Sequence, residues 1–372
     1  MIKTTYKLGE VCSRLSSGKN IKATDIANVG DYPVYGGNGV RGFTNKYNFD
    51  GECSIIGRQG AYCGNVQLFK GKAYMTEHAV IVCGNERANS HYLGYVLSVM
   101  DLGRLSHQAA QPGLSVKVLS EQEIELPTKE NQDKIVEIIL GYDNLIENNQ
   151  KQIKLLEEAA QRLYKEWFVD LRFPGYENTP IIDGVPEGWT KPAMNDIAEY
   201  LNGFAFKPDD WGEKGKPIIK IKEMNEGITS STPRNDGSRV PEKYNISAGD
   251  ILFSWSATLT AMIWDSESGL LNQHLFKVTP NEGIGREYVL QSILKTLDEF
   301  KNLTTGSTMK HIQRGKLKEV FVNMPSSDIM NKYVLLSEPI REKILILKKQ
   351  NNSLKEARDR LLPKLMSGEI EV

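Results

Sequence analysis

The stretch YGGNGVRGF, residues 35–43, places Gly37, Gly39 and Gly42 in the G-x-G-x-x-G spacing of a dinucleotide-binding loop. In that chemistry backbone amides approach a pyrophosphate, and the glycines must follow a strand and open a long helix. DYPVY ahead of the loop can be extended. Behind it, FTNKYNFDGECSIIGRQGAYCGNVQLF carries Asn, Gly and aromatic punctuation between short alternating apolar runs, which reads as strands and turns. The pattern predicts a glycine loop between strands, with glycine supplying positive φ and room for close approach.

Other chemistries find no kit of residues. The chain has no Pro-Pro, so the Asn/Asp-Pro-Pro-aromatic loop of amino-methyltransferases is absent. A Walker lysine loop, H-E-x-x-H and G-x-S-x-G are absent too. The one acidic-x-Lys triplet, Glu299-Phe300-Lys301, lies in a helix-like pattern, which argues against a nuclease centre. His78 could serve as a general base or ligand, but its counterpart His274 in a second copy of the pattern favours a structural histidine. His91, His107 and His311 cluster with nothing recognisable. Cys12, Cys53, Cys63 and Cys83 form no C-x-x-C pair, so reduced thiols are expected, with no metal site.

With 372 residues, 40% of them hydrophobic, the chain has room for two or three domains. No apolar run approaches the length of a membrane span, and the N-terminus lacks the apolar core of a signal peptide, so a cytoplasmic location is expected. The net charge is −1; residues 1–130 carry 14 basic and 12 acidic side chains, and residues 169–327 carry 18 and 21. Composition therefore gives no basic signature of nucleic-acid binding, and any such surface must be a local patch such as Lys214, Lys216, Lys220 and Lys222.

The elements that would carry these loops occur twice. Residues 131–168 read as one long helix with a heptad seam through Ile135, Ile138, Tyr142, Leu145, Asn149, Gln152, Leu156, Ala159 and Leu163. The C-terminal segment repeats it through Tyr333, Leu336, Ile340, Lys343, Leu347, Gln350, Leu354, Ala357 and Leu361. At an offset of 198, eleven of 37 positions are identical, where chance gives about two or three. Upstream, at an offset of 196, His78 matches His274 and Tyr92 matches Tyr288. The expected fold is α+β, a tandem duplication of two mixed domains, 1–130 and 169–327. Two long helices, 131–168 and 328–372, would separate them and pair with each other through these seams. Amides at Asn149, Gln152 and Gln350 would fix register.

This layout resembles the DNA-specificity (S) subunit of type I restriction–modification systems, over nearly the whole chain. DYPVYGGNGVRGF with GECSIIGRQGAYCGNV is similar to the start of a family target-recognition domain, and GKPIIKIKEMNEG with AGDILFSW to its alternative variant. ELPTKENQDKIVEIILGYDNLIE, with Pro127, Gln132 and Ile135, resembles the family's lead into the helix, and RDRLLPKLMSGEIEV a common C-terminus. The second helix departs from it with Met330, Tyr333 and an internal Pro339, so its first turns are expected to kink or start late.

The resemblance implies a non-catalytic subunit whose two target-recognition domains each bind one half of a bipartite double-stranded DNA target. The helices would form an antiparallel coiled coil that spaces the halves and docks two modification subunits, and restriction subunits would join them. S-adenosylmethionine, ATP and Mg would sit on those partners, with no cofactor in this chain. In the first domain the candidate DNA contacts are Asn38, Arg41, Arg58, Gln59 and Tyr62, side chains suited to phosphates and base edges. In the second they are Lys207, Lys220 and Lys222, with both of the last two on one face if IIKIK is a strand, and Ser254, Ser256, Thr258 and Lys310 in turn-like contexts. The competing readings are a targeting subunit of a related restriction or methylation system, an enzyme using the glycine loop, and a repeat protein built only for protein–protein assembly.

Overall fold

The chain divides into two units, Met1–Ile146 with Ser353–Val372 and Glu147–Asn352, in a computed structural model that describes residues 2–106, 113–256, 258–302 and 314–372. In the first unit, short apolar runs between glycine and asparagine turns become strands. They are β1 (Thr4–Lys7), β2 (Cys12–Ser17), β3 (Tyr32–Gly36), β4 (Gly39–Thr44), β5 (Phe49–Gly57), β6 (Val66–Met75), β7 (Ala79–Gly84) and β8 (Glu123–Leu126). Six of them form one sheet in the order β2-β7-β5-β6-β3-β4, and β1 pairs with β8. Cys53 to Ile56 on β5 and Ala79 to Val82 on β7 are buried without alternation, so both faces of the sheet centre are covered.

Helix α1 (Ser90–Ser98) supplies one cover, capped by Asn89, whose side chain accepts from the amides of His91 and Tyr92. It lies so close to β5 that a Cβ on Gly94 would meet Ser54 Oγ at 2.2 Å. A short α2 (Val116–Ser120) follows, then the long α3 (Lys129–Tyr164). The spacing from Pro127 to Gln132 now has a physical reason. The fully buried Gln132 donates from Nε2 to the carbonyls of Arg87 and Pro127, both at 2.9 Å, and its Oε1 accepts from the Asn89 amide at 2.9 Å. A buried amide so satisfied locks the start of α3 onto the cap of α1.

The second unit contains the hairpin β9 (Ile181–Ile182) and β10 (Val185–Pro186), then α4 (Met194–Ile197), β11 (Ala198–Asn202), β12 (Lys216–Ile219), α5 (Ile221–Glu226), β13 (Arg234–Asn235) and β14 (Asn245–Ile246). After these come β15 (Ile251–Ser254), β16 (Thr260–Ile263), β17 (Gly269–Leu271), β18 (Leu275–Pro280), α6 (Arg286–Asn302) and α7 (Ser327–Ser367). Two four-stranded sheets result, β11-β18-β15-β16 and β13-β12-β17-β14. The core is aromatic: Phe168 meets Tyr288 and Tyr333 edge-on, with ring centroids at 4.9 and 4.8 Å. Met330, which stands where the first copy has Gln132, is buried in this cluster, so apolar packing replaces the amide clamp. The duplication is visible in the backbone. Thr4 pairs with Leu126 and Lys7 with Glu123; Thr190 pairs with Met324 and Ala193 with Phe321 in the second unit.

The helices pair antiparallel within each unit, but the seam differs from the expected one by half its positions. The buried or half-buried residues that run along the seam of α3 include Ile135, Ile139, Tyr142, Ile146, Asn149, Ile153, Leu156, Ala160 and Leu163. On α7 they include Tyr333, Ser337, Ile340, Ile344, Leu347, Asn351, Leu354, Arg358 and Leu361. Every second seam residue sits one place later than the spacing predicted. Ile138, Leu145, Leu336 and Gln350 are exposed, and Gln152 is only half-buried. The register amide is instead a pair, Asn149 Nδ2 donating to Asn351 Oδ1 at 3.0 Å, with both side chains buried. The corresponding layer of the duplicated pattern, Ile153 with Leu347, is apolar. One polar layer with no polar twin distinguishes the two helices and pins their register.

In the first unit, Ile135 and Ile139 share a core with Leu365 and Met366, and Arg358 Nη1 reaches Asp143 Oδ1 at 2.6 Å. The late start or kink expected near Pro339 is corrected on its first count: α7 begins at Ser327 and continues through Pro339 to Ser367. Pro339 is exposed, where water can replace the missing N–H of the helix ladder.

Candidate nucleic-acid interface

In the first unit the glycine stretch is a hairpin. β3 and β4 pair from Tyr32↔Thr44 to Gly36↔Gly39, leaving Gly37 and Asn38 as the turn, with Gly39 at φ 96°. No helix opens there, and the nucleotide reading falls. The turn is pressed against a second glycine loop. A Cβ on Gly57 would lie 2.4 Å from the carbonyl oxygens of both Gly37 and Tyr62, so only glycine permits the approach. Arg58 follows. Its amide donates to His78 O at 3.0 Å, and its carbonyl accepts from the Leu114 amide at 2.8 Å. Gln59 bridges to Gly113.

The Arg58 backbone is thus held from both sides, while its half-exposed guanidinium reaches Ser17 Oγ with Nη1 at 3.5 Å. Asn38, Gln59 and Tyr62 are exposed around it. Arg41, also exposed, leaves along β4 with its stem over Gly36, where a Cβ would meet Arg41 Cδ at 2.7 Å. The fold therefore brings a turn and a loop distant in sequence to one end of the sheet, with a forked donor, amides and a phenol on the surface. These groups can bond phosphate oxygens and base edges.

The second unit treats its candidates unevenly. Lys207 is exposed, and its amide donates to Asp210 Oδ2 at 2.7 Å. Lys220 and Lys222 do not share a strand face. β12 ends at Ile219 and Lys220 caps α5, its amide donating to Glu223 Oε2 at 3.1 Å. Lys220 Nζ lies 5.2 Å from the centre of the exposed Trp211 ring. Lys222 projects from α5, with Nζ 3.2 Å from Ser231 Oγ. Ser254 and Ser256 are corrected outright. Both are buried, and Ser254 Oγ donates to Ser256 O at 3.1 Å, closing the strand end instead of facing a ligand. Thr258 is exposed; Lys310, like His107 and His311, lies outside the described residues.

Sequence reasoning passed over Trp255, between Ser254 and Ser256. Its Nε1 donates to Asn202 Oδ1 at 3.2 Å, and its ring lies 5.9 Å from that of the exposed His274.

Among the described residues no group of three or more His, Cys, Asp or Glu side chains could hold a metal ion. Burial pushes the Cys12 and Cys53 thiols up to about 12, which leaves both protonated and poor nucleophiles at neutral pH. No helix among the described residues is long and apolar enough to cross a membrane.

A family model described as the type I restriction modification DNA specificity domain matches residues 3–158 and 186–356. The EcoprrI specificity subunit of Escherichia coli is 40% identical over 159 residues, 42% of this chain and 39% of that protein's length. The MjaIX specificity subunit of Methanocaldococcus jannaschii is 27% identical over 304 residues, 76% of this chain and 69% of that protein. The crystal structure of a type I restriction-modification S subunit from M. genitalium has the same fold, with a TM-score of 0.68 at 18% identity, covering 98% of this chain and 96% of that one.

Proposed function

The chain belongs to the type I restriction–modification DNA specificity family, and from that premise we propose how its parts divide the work of recognising a DNA target. Each unit reads one half of a bipartite double-stranded sequence, α3 and α7 space the halves, and the helices dock two modification subunits. The chain itself is non-catalytic. S-adenosylmethionine would serve adenine methylation on the modification subunits, and ATP and Mg would serve the restriction subunits. One observation carries the reading: the two units repeat a scaffold down to single backbone pairs, while the surface loops on it differ in every candidate contact. A scaffold repeated with its surface chemistry changed suits two readers of different sequences.

Methylation-sensitive sequencing of DNA from cells expressing this chain with a modification partner tests it. A motif of two short specified blocks around an unspecified gap is expected. A single continuous block would overturn the bipartite reading, and methylation without sequence preference would favour the assembly-only alternative.

Arg58→Ala is expected to weaken specific binding by the assembled methyltransferase by roughly 1–3 kcal/mol if the guanidinium bonds a guanine edge, and to relax one position of one half. Should it touch only phosphate, affinity falls evenly across sequences and the salt slope drops by about one. Unchanged binding removes Arg58 from the interface.

Partner docking has its own support in the first unit. Ile138 and Leu145, displaced from the seam, leave apolar side chains 37% and 53% exposed one heptad apart on α3. Paired changes Ile138→Glu and Leu145→Glu should weaken capture of the modification subunit by roughly 2 kcal/mol or more. Exposed positions of this kind should shift thermal stability only within about ±0.5 kcal/mol. Undiminished co-purification would place the docking surface elsewhere.

A further inference from the structure

The two units carry different side chains at one equivalent point of their sheets. β5 ends with Gly57 paired to Ala79 of β7, and β15 ends with Ser254 paired to Leu275 of β18. The next residue is Arg58 in one unit and Trp255 in the other. The same loop runs behind each. The Gly18 amide donates to Ala79 O at 3.0 Å, and the Gly203 amide to Leu275 O at 3.1 Å. Neither glycine can carry a Cβ, which would lie 2.1 Å from Met75 O in one unit and 2.1 Å from Asn272 O in the other.

The residue before each glycine touches the side chain in question. Ser17 Oγ meets Arg58 at 3.5 Å, and Asn202 Oδ1 accepts from Trp255 at 3.2 Å. His78 and His274 complete the matching sites, each following a buried acceptor, Glu77 Oε2 and Gln273 Oε1, that has no hydrogen-bond partner among the described residues.

We propose that this point is the base-reading position of both units, and that Trp255 reads the second half-site by apolar contact with a thymine methyl group. The inference rests on the DNA-recognition reading above. Trp255 is half-buried, its ring packed 5.9 Å from Phe276 and 5.9 Å from His274, so its pose is fixed. With its N–H engaged by Asn202, the indole offers a base pair carbon and not a donor. In the major groove the feature that matches carbon is the thymine C5-methyl. Arg58, at the same point, presents a forked donor suited to guanine. The scaffold is common to both units, and the single side chain standing on it gives each half a different base preference.

The test uses the assembled methyltransferase and duplexes carrying its methylated motif, with deoxyuridine replacing thymine position by position in the second half-site. One deoxyuridine should weaken binding about ten-fold, as expected for one methyl lost from an apolar contact. Trp255→Ala should lose a similar factor and become indifferent to that substitution, while Trp255→Phe keeps part of the sensitivity. The first half-site should be read as before by both variants. A second half-site without thymine, a Trp255→Ala complex that still senses the methyl, or an equal loss on all DNA would overturn the proposal. A wild-type complex that methylates without sequence preference would instead remove the premise, and is distinguished by the unmodified duplexes alone.

Discussion

Arg341→Ala should destabilise the second unit by about 3–5 kcal/mol, the cost of leaving a buried charge without its partner. Arg341 on α7 and Glu287 on α6 are 5% and 1% exposed. They form a two-pronged pair, Nε to Oε2 at 2.7 Å and Nη2 to Oε1 at 2.9 Å. Gln291 adds a donor to the same carboxylate at 2.8 Å. Burial pulls the Arg341 pKa down, but the hydrogen bonds and charge of Glu287 outweigh it and the net shift is upward. Removing the arginine takes away that compensation and leaves the carboxylate in a dry site. Removing both charges is different, since a buried ion pair replaced by apolar residues of similar size is often neutral or stabilising. The double variant Glu287→Leu with Arg341→Met should therefore recover part of the loss, less the cost of leaving the buried Gln291 amide without its acceptor. Denaturant unfolding of both variants, followed through the transition of the second unit, decides the matter. A loss below about 1 kcal/mol in Arg341→Ala would mean that water or repacking already relieves Glu287.

The specificity-subunit family was legible in the sequence because its signals are local and repeated. Pro127, Gln132 and Ile135 mark a helix start that Gln132 then executes with three hydrogen bonds. The glycine stretch was readable as a loop between strands because no helical period follows it. The seam was readable only in part, for a reason of chemistry. Ile138 and Ile139, or Leu145 and Ile146, are both apolar, so a three-four spacing can run through either. Only packing against the partner helix selects the second, and the leftover row then lies on the surface.

Individual site residues were harder to read because burial, not polarity, decides what a loop residue can touch. Ser254 and Ser256 are polar and lie near a turn, yet both are buried, Ser254 by strand pairing to Leu275 and Ser256 by the turn that Ser254 Oγ closes. Trp255, whose type suggests core, is only half-buried, between Asn202 and His274. The misreading of Lys220 and Lys222 had a remedy in the sequence. Glu223 lies three residues after Lys220, and Gly227, at φ 80°, ends the turn of helix that follows. They are half of a helix start signal, without a capping side chain at Lys220, and a stop signal, and together they compete with the alternation of IIKIK.

If α3 and α7 space the two half-sites, lengthening both helices together should lengthen the gap in the DNA target. Seven residues added after Gln150 in α3 and seven after Lys349 in α7 keep the Asn149–Asn351 and Ile153–Leu347 layers intact on either side of the insertion. Each heptad adds about 10 Å of helix, or about three base pairs at 3.4 Å each. One heptad nearly preserves the face of the seam, but three base pairs turn the second half-site by more than a quarter of the roughly 10–10.5 base-pair repeat. A single-heptad variant should therefore read the same two blocks across a longer gap with reduced affinity. Three heptads add about 31 Å, close to the 34–36 Å of one DNA turn. That variant should recover affinity with a gap longer by nine or ten base pairs, roughly one turn. Methylation sequencing reads both gaps directly. An assembled, active three-heptad variant that methylates the original motif at its original gap would show that the helices do not set the spacing.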